Sequence, residues 1–543
     1  MAHPAPSPRP AKLLLIGASV LVGSWLLGLN HLPLFDWDEL NFAETAREML
    51  ASGNFLLPTI NYQPFHEKPP LFAWFQVLSM SIWGQNPLGA RFPNVVCGVL
   101  TLLVLWRLGK RLHGDPFGLW WAALLGLSVL PQLYFRSGII DPWFNLFILL
   151  GLFPSLAGER LNGRTVLISG AWLGLAVLTK GPAAGLIGGL CWLGLLVLVP
   201  CERPGRAVRY ALIGLLALVP AALWFAALWW QDQGGLVLDF LAYQWRLFSK
   251  EDAGHGGFPG YHVVVLLLGC FPAGVFALPA LLNRRAYATP ADRGMRLLFW
   301  TVLILFSIVN TKIVHYSSLC YFPLAWFAAR WVSSSAPGSV RHVQTATAAI
   351  WGLYALLSLA LPAAGSTVEL WLPRIQDAEL VSRLQLPVEW PWYTFLPGLL
   401  LLGGLAVLWQ LQSAPPPRVL LAHLLISFAF VSVALPSFAP RLQAYSQGEA
   451  VAFFQSLEGK EVYLGTAYYK SYAHWFYAKI PPERYAAGCQ DRQCQFHGPT
   501  TLPLYFASPL RKTEQVLREV PDAQVLYSRG GFTFYLRPAA AAH

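Results

Sequence analysis

The sequence predicts an all-α polytopic membrane bundle of about thirteen transmembrane helices, followed by a small C-terminal extracytoplasmic α/β domain. Of its 543 residues 55% are hydrophobic and only 12% are charged, and the mean hydropathy is +0.48. A hydrocarbon core about 30 Å thick needs roughly 20 apolar residues per helix, and many stretches reach that length with hardly a charge. After about residue 440 the composition becomes more polar, which predicts a domain outside the bilayer.

The apolar stretches predict where the spans lie, with boundaries that are soft by a few residues. They are 12–30, 88–106, 117–134, 141–157, 165–179, 182–200, 210–230, 260–282, 296–311, 313–330, 344–363, 394–411 and 419–436. The first is interpreted as a retained signal anchor, because it exceeds the length of a signal-peptide core and no small-residue cleavage site follows it. We expect a transmembrane domain over 1–438 and the extracytoplasmic domain over 439–543.

Lysine and arginine concentrate in alternate connections, which the positive-inside rule places on the cytoplasmic side. They are Arg9 and Lys12; Arg107, Lys110 and Arg111; Arg160 and Arg164; Arg203, Arg206 and Arg209; Arg284, Arg285, Arg293 and Arg296; Arg330 and Arg341; and Arg418. The net charge of +11 is therefore attributed to topology and to attraction to an anionic leaflet. Nucleic-acid binding is excluded, because the basic residues are dispersed over many short loops.

The C-terminal domain shows strand and helix patterns in alternation. Strands are predicted at 461–465, 525–527 and 532–536, the last two joined by a glycine-containing turn, and helices at 447–458 and 510–519. Cys489 and Cys494 are predicted to form a disulfide, since oxidation is permitted outside the cytoplasm and a short loop can close. The domain contains no catalytic pattern and is interpreted as an accessory or acceptor-binding cap.

Polar residues that topology does not require collect on the outer side. The first outer loop, 31–87, holds an interfacial helix at 39–51 and the charged residues Asp38, Glu39, Arg47, Glu67 and Lys68. Other outer ends supply Asp141, Lys180, Arg246, His255, Lys312 and Tyr316. Charges at the ends of membrane helices are costly unless paired or hydrated, and they often mark a site, although a single lysine or arginine can also snorkel to the interface.

A lipid phosphate is the ligand that suits such a rim. Lysines neutralise phosphoryl oxygens, tyrosine and backbone groups donate hydrogen bonds, and a carboxylate orients or deprotonates a nucleophile. Simpler interpretations stay open for two residues: Asp141 before Pro142 is also a normal helix start, and Tyr316 is also a normal interfacial anchor. A transporter of lipid-linked sugars is a further alternative, although transporters usually place such groups near mid-span.

The motifs around these residues resemble a known family. In the first loop they are Asp38-Glu39-x-x-Phe42-Ala43-Glu44-x-Ala46-Arg47-Glu48-Met49 and Glu67-Lys68-Pro69-Pro70-Leu71-x-x-Trp74; later come Asp141-Pro142, Thr179-Lys180-Gly181-Pro182, the outer loop 243–262, and Thr311-Lys312 with His315-Tyr316. Together they resemble the GT-C membrane glycosyltransferases, and more narrowly the aminoarabinose transferases of lipid A and their protein O-mannosyltransferase relatives. The resemblance covers roughly residues 12–335.

The resemblance implies inverting transfer of a sugar from a polyprenyl-phosphate donor to a surface glycolipid, on the periplasmic side of a bacterial inner membrane. It implies that Asp38 and Asp141 are the catalytic carboxylates, that Lys68, Lys180, Lys312 and Tyr316 bind the donor phosphate, and that Glu39, Arg47 and Arg246 support the site or contact the acceptor. No cofactor is required by this chemistry, because the lipid phosphate is itself the leaving group. The partners expected are the donor, the acceptor and membrane lipids, with the protein a monomer.

Metal binding and the substrate stay open. Glu67 and His255 are candidate ligands for zinc or magnesium, with Glu67 alternatively pairing with Lys68 or Arg47. Aminoarabinose transferases usually have Arg-Tyr where this chain has Asn41-Phe42, so a cation and a phenol are both missing. A protein hydroxyl acceptor is therefore the main enzymatic alternative to a glycolipid.

Overall fold

The structure is a computed structural model that describes residue 17 and residues 19–36, 38–198, 203–249, 257–334, 341–483, 496–498 and 500–539. The described chain is mostly helical, with a small sheet near its C-terminus. This confirms the predicted fold class of a helical bundle followed by a small α/β unit. Residues 37, 255, 489 and 494 are outside the described part, so the roles of His255 and of the predicted Cys489–Cys494 disulfide stay predictions.

A helical stretch at 19–26 precedes fourteen α-helices among the described residues up to residue 334. They are α1 Asp38–Ser52, α2 Leu71–Trp83, α3 Pro87–His113, α4 Asp115–Gly126, α5 Val129–Tyr134, α6 Asp141–Leu156, α7 Gly163–Lys180, α8 Ala183–Leu198, α9 Arg203–Trp230, α10 Gly234–Ser249, α11 Tyr261–Gly269, α12 Ala273–Leu282, α13 Pro290–Ile308 and α14 Tyr321–Ser334. A 3₁₀ helix, Val314–Cys320, leads into α14.

The rest of the described chain contains eight more helices and most of the strands. The helices are α15 Arg341–Ser366, α16 Val368–Trp371, α17 Ala378–Leu384, α18 Leu396–Gln410, α19 Pro416–Gln443, α20 Glu449–Gln455, α21 Ala473–Ala478 and α22 Thr513–Glu519. The strands are β1 Thr59–Ile60 and β2 Gln63–Pro64 in the first loop, then β3 Tyr463–Thr466, β4 Leu504–Pro509, β5 Gln524–Arg529 and β6 Phe532–Arg537.

Five described helices are long and apolar enough to cross a membrane by themselves. They are Pro87–His113, Gly205–Trp230, His342–Ser366, Trp392–Gln410 and Pro416–Gln455. The span predicted at 260–282 is not one continuous helix: α11 and α12 are bent by 116° at the break between them, as in a broken span or a re-entrant loop. Pro272 lies in that break, and proline both lacks a backbone N–H donor and disfavours helical geometry at the residue before it. The total of about thirteen spans stays a prediction.

Helix α1 confirms the helix predicted at 39–51, but its surroundings differ from the expected membrane interface. Every residue from Glu39 to Met49 is buried. The C-terminal domain covers the helix: Leu40, Ala43 and Ala46 belong to one apolar cluster with Phe454 and Phe476. The first loop is therefore held between the bundle and the C-terminal domain, which no local sequence pattern indicates.

The C-terminal sheet has the strand order β3-β4-β6-β5, with β3 and β4 parallel and the other neighbours antiparallel. Strands β3, β5 and β6 lie where the sequence predicts strands, whereas the central strand β4 was not predicted. Gly530 and Gly531 form the β5–β6 turn with φ values of 60° and 80°, a conformation that favours glycine. Helix α19 continues through a π turn at Ala444–Gly448 into α20, so one helical rod joins bundle and domain.

Helices α6 and α13 approach each other closely at a glycine. A Cβ added at Gly294 would lie 2.1 Å from the carbonyl oxygen of Leu156, the last residue of α6. Since Leu156 contributes backbone at this point, a side chain at 294 cannot be accommodated by a rotamer change. The position of the inner end of α6 relative to α13 therefore depends on this glycine.

We expect Gly294→Ala to lower stability by about 1–3 kcal/mol through overpacking. Gly352 is a matched control, because it also lies in a helix and an added Cβ there meets nothing within 4 Å. Alanine at 352 should be neutral or slightly stabilising, since it is the better helix former. Thermal unfolding of the detergent-purified variants, followed by tryptophan fluorescence, measures both effects; equal Tm changes would contradict this account of the contact.

Candidate active site

A cavity of about 800 Å³ lies between the first loop, the ends of several helices and the C-terminal domain. Its described lining brings together six residues that sequence reasoning placed at the site: Asp38, Glu39, Glu67, Lys68, Arg246 and Tyr316. These residues come from widely separated segments, so their convergence is a property of the tertiary fold. The cavity combines charged groups with apolar side chains, as a site for an amphipathic lipid requires.

At one edge of the cavity, four side chains form a chain in which basic and acidic groups alternate. The ammonium Nζ of Lys180 lies 2.6 Å from Oδ1 of Asp141. Nε2 of His315 lies 3.7 Å from Oδ2 of Asp141 and 3.4 Å from Oδ2 of Asp38. The Asp141 side chain is only 4% exposed, whereas that of Asp38 is 42% exposed and faces the cavity. Asp38 is thus the carboxylate available to a substrate, and the imidazole connects it to a buried ion pair.

The helices explain why these groups meet. Asp141 is the first residue of α6 and Lys180 the last of α7, and the two helices pack against each other. The side chain of Asp141 does not cap α6, so the alternative interpretation of a simple helix cap is not what the structure shows. His315 and Tyr316 lie on the 3₁₀ helix that leads into α14. The ammonium of Lys180 lies 5.1 Å from the centre of the Tyr316 ring.

Cationic side chains line another wall of the cavity. Nζ of Lys68 lies 5.5 Å from the centre of the Tyr243 ring, and the guanidinium of Arg246 lies 5.0 Å from the same ring. Burial lowers the pKa of Lys68 below the usual lysine value, against the opposing charge of Glu67, and the nearby Lys180 lowers it further. The arrangement provides positive charge and a phenol beside Asp38, which suits a phosphoryl group.

Glu39 lines the cavity, but its carboxylate is fully engaged by the protein. Arg91 donates to both of its oxygens at 2.9 and 2.7 Å, and the backbone amides of Phe35 and Gly138 donate at 2.9 and 2.6 Å. Burial raises the pKa of Glu39, but Arg91 and the backbone donors outweigh it, so the pKa is lowered overall. Glu39 therefore supports the site and does not contact the acceptor directly.

The structure places Arg47 away from the cavity, in a supporting position between α1 and the C-terminal domain. Arg47 makes two 2.7 Å hydrogen bonds to Glu44 and donates to the carbonyl of Ile480 at 3.2 Å. It is 2% exposed and is absent from the described lining of the cavity. Its role is to tie α1 to the C-terminal domain.

Lys312 is also placed differently from its expected role as a phosphate ligand. Its ammonium donates to the backbone carbonyls of Phe306 at 3.1 Å and Ser307 at 2.7 Å, and also to that of Val309. These carbonyls end α13 and lack helical partners, so the lysine caps the helix and interacts favourably with its dipole. Among the described residues that line the cavity Lys312 is absent.

The structure adds no further metal ligand to the predicted pair Glu67 and His255 among the residues it describes. Within the described ranges no group of three histidine, cysteine or acidic side chains is placed to hold a metal ion. Glu67 lies 3.5 Å from Nζ of Lys470, and His255 is outside the described residues. The Glu67 and His255 pair therefore remains a candidate only.

Sequence reasoning assigned no role to three residues that the structure places at the site: His315, Tyr243 and Lys470. His315 adjoins Tyr316 within the motif that carries the family resemblance, so that signal was present. Tyr243 opens the outer loop that resembles the family and also offered a signal. Lys470 comes from the C-terminal domain, and no local pattern connects it with the first loop.

The Glu39–Arg91 pair gives a stability prediction. Arg91→Met leaves a buried carboxylate without its counter-ion, and we expect a loss of about 3–5 kcal/mol. Arg518→Met is the control, because the Arg518–Glu514 pair is exposed and should contribute only about 0–1 kcal/mol. Tm values of the two purified variants measure the difference, and similar values would show that the buried pair is not a structural requirement.

Sequence comparison finds relatives for much of the chain. Residues 67–230 match the family described as dolichyl-phosphate-mannose-protein mannosyltransferase. An undecaprenyl phosphate-alpha-4-amino-4-deoxy-L-arabinose arabinosyl transferase from Enterobacter sp. (strain 638) is 29% identical over 65% of this chain and 66% of its own length. A second such transferase, from Pseudomonas fluorescens (strain Pf0-1), is 29% identical over 59% of each chain. The chain thus matches less than two thirds of the length of these relatives.

Structural comparison covers nearly the whole chain. ArnT from Cupriavidus metallidurans in the apo state has a TM-score of 0.77 at 17% identity, covering 98% of this chain and 100% of ArnT. The same protein bound to undecaprenyl phosphate gives a TM-score of 0.75 at 18% identity, covering 98% and 99%. The chain is therefore similar in sequence to these arabinosyl transferases and has the fold of ArnT from Cupriavidus metallidurans.

Proposed function

We propose that this chain is an inverting glycosyltransferase that moves a monosaccharide from a polyprenyl-phosphate donor to a surface glycolipid such as lipid A. The observation that carries the proposal is the exposed carboxylate of Asp38 in a lipid-sized cavity beside Lys68. Relatives named as arabinosyl transferases, with undecaprenyl phosphate in their names, support 4-amino-4-deoxy-L-arabinose as the sugar. A pentose is thus favoured over a hexose.

The cationic wall suits the donor phosphate. Breaking the bond between the anomeric carbon and the phosphate oxygen leaves a phosphate monoester, which needs positive charge and not a strong acid. Lys68 and Arg246 line the cavity and provide that charge. Lys180 adds positive charge next to the ring of Tyr316, which also lines the cavity. The polyprenyl chain would then extend along apolar helices, in the same apolar environment as the lipid tails of the membrane. No nucleotide or metal is needed for this step.

The carboxylate of Asp38 is suited to orient or deprotonate the acceptor. A new bond forms between an acceptor oxygen and the anomeric carbon as the bond to the donor phosphate breaks, and attack from the opposite face inverts the configuration. If the acceptor is a hydroxyl group, its proton passes to Asp38; if it is a phosphate oxygen, Asp38 only orients it. His315 and the Asp141–Lys180 pair hold Asp38 in place.

We place the site on the periplasmic side of a bacterial inner membrane, with the protein a monomer. The positive-inside pattern supports this orientation, since none of the described residues in the basic connections lines the cavity. Lys470 reaches the cavity from the C-terminal domain, which supports the interpretation of that domain as part of the acceptor side. Such a surface would receive a glycolipid headgroup that projects from the outer leaflet.

A protein hydroxyl group is the second candidate acceptor. The match to the protein mannosyltransferase family favours it, and so does Asn41, which replaces the arginine of aminoarabinose transferases. Asn41 lines the cavity, is 5% exposed, and its side-chain oxygen has no hydrogen-bond partner among the described residues. A neutral amide attracts a phosphorylated acceptor less strongly than arginine would.

We expect Asp38→Asn to slow transfer by roughly 10²–10⁴-fold while donor binding and Tm are retained. The purified protein is incubated with polyprenyl-phosphate sugars and a glycolipid fraction, and mass spectrometry measures the glycosylated product. Asp232→Asn is the control, because Asp232 is exposed and asparagine tolerates its positive φ of 58°. Normal turnover by Asp38→Asn would refute the catalytic assignment, whereas donor binding by the native protein without any product would favour transport or a protein acceptor.

The lowered pKa of Lys68 predicts how donor affinity depends on pH. Lys68 carries its charge only below its pKa, so donor affinity should begin to fall at a lower pH than it would with an ordinary lysine. Lys68→Arg keeps the charge across this range and should remove the early fall. Affinity is measured by titrating undecaprenyl phosphate into both proteins at several pH values above 7. If affinity falls with rising pH to the same extent in both proteins, Lys68 is not the group responsible.

A further inference from the structure

A second cavity lies at the end of the bundle opposite the candidate active site. It has a volume of about 640 Å³ and is formed by the C-terminal end of α6, the connection that follows it, and the start of α9. Ser155 in this cavity lies fourteen residues after Asp141 on the same helix, or about 21 Å along its axis. The two cavities therefore lie near opposite ends of α6.

Arginine dominates the polar lining of the second cavity. Arg206 and Arg209 project from the first turns of α9, three residues apart on one face, and Arg160 comes from the connection after α6. The acidic residue of the lining, Glu159, is already ion-paired with Arg111. The described lining thus contains more positive than negative charge, in a concave and mostly polar surface.

Two further features distinguish this cavity from a scatter of basic residues at a membrane surface. Ser155 is 5% exposed, and its hydroxyl has no hydrogen-bond partner among the described residues. Tyr210 is buried beside the arginines, where its ring stacks on Trp192 with 5.4 Å between the ring centres. A buried polar group without a partner costs free energy, and a bound ligand that accepts its hydrogen bond would remove that cost.

We propose that this cavity binds the phosphoryl headgroup of an anionic phospholipid from the leaflet opposite the active site. Guanidinium groups bind phosphate oxygens in pairs of parallel hydrogen bonds, and Ser155 can donate a further one. The cavity lies at the helix ends, which is the depth of lipid headgroups, and basic pockets between helices on that side suit such lipids. The positive-inside pattern accounts for arginines on this surface, but it does not account for a cavity built around them.

The test uses the full chain, purified in detergent, stripped of lipid and titrated by native mass spectrometry with phosphatidylglycerol, phosphatidylcholine or inorganic phosphate. The site variant is Arg160→Gln/Arg209→Gln. The control is Arg164→Gln/Arg284→Gln, which removes the same charge from exposed positions outside the cavity lining. Tm values without lipid verify that both variants fold.

We expect phosphatidylglycerol to bind the native protein and the control, and to bind the site variant at least roughly tenfold more weakly. Ser155→Ala should weaken binding by a smaller factor, since it removes a single neutral donor. Equal weakening in the control and the site variant would overturn the proposal in favour of diffuse attraction. Equal binding of phosphatidylcholine would overturn the anionic specificity, and binding of inorganic phosphate alone would overturn a lipid as the ligand.

Discussion

The buried ion pair between Glu39 and Arg91 is the constraint on which the geometry of the site depends. Arg91 also donates to the carbonyls of Leu29, Leu32 and Pro33, while Glu39 accepts from the amide of Gly138. One pair thus joins the segment after the first helical stretch, the start of α1 and the turn that precedes Asp141. Burying two charges is expensive, and it is tolerable here because further hydrogen bonds satisfy both groups.

The C-terminal domain adds further hydrogen bonds to the segment before Asp38. The hydroxyl of Tyr477 accepts from the amide of Leu34 at 2.7 Å, and the amide of Tyr472 donates to Asp36 at 3.2 Å. The segment that leads to Asp38 is therefore held by the C-terminal domain on one side and by the helical bundle on the other. Such support keeps an exposed carboxylate in a defined position, which is what preorganised catalysis requires. The domain is thus part of the architecture of the proposed active site.

Helix α6 links the two proposed binding sites. Its first residue, Asp141, pairs with Lys180 beside the outer cavity, and its last turn contributes Ser155 to the basic cavity. Gly294 allows α13 to approach this second end closely. One helix thus contributes residues at both of its ends, one beside the proposed donor site and one in the proposed phospholipid site.

The sequence by itself determined the class of fold, the helix that carries Asp38, three of the four C-terminal strands and the motif residues that line the cavity. The fold class, the helix and the strands follow from apolar length, periodicity and turn residues, which act over a few neighbouring positions. The cavity residues were identified from charges at the predicted helix ends and from the resemblance of their motifs to a known family. Only the tertiary structure decided that Lys312 caps α13, that Arg47 binds the C-terminal domain, and that Lys470 joins the site. A charged side chain pairs with whichever opposite charge or carbonyl the fold brings within a few ångströms, and that partner is distant in sequence. The central strand β4 likewise depends on the strands that pair with it on either side.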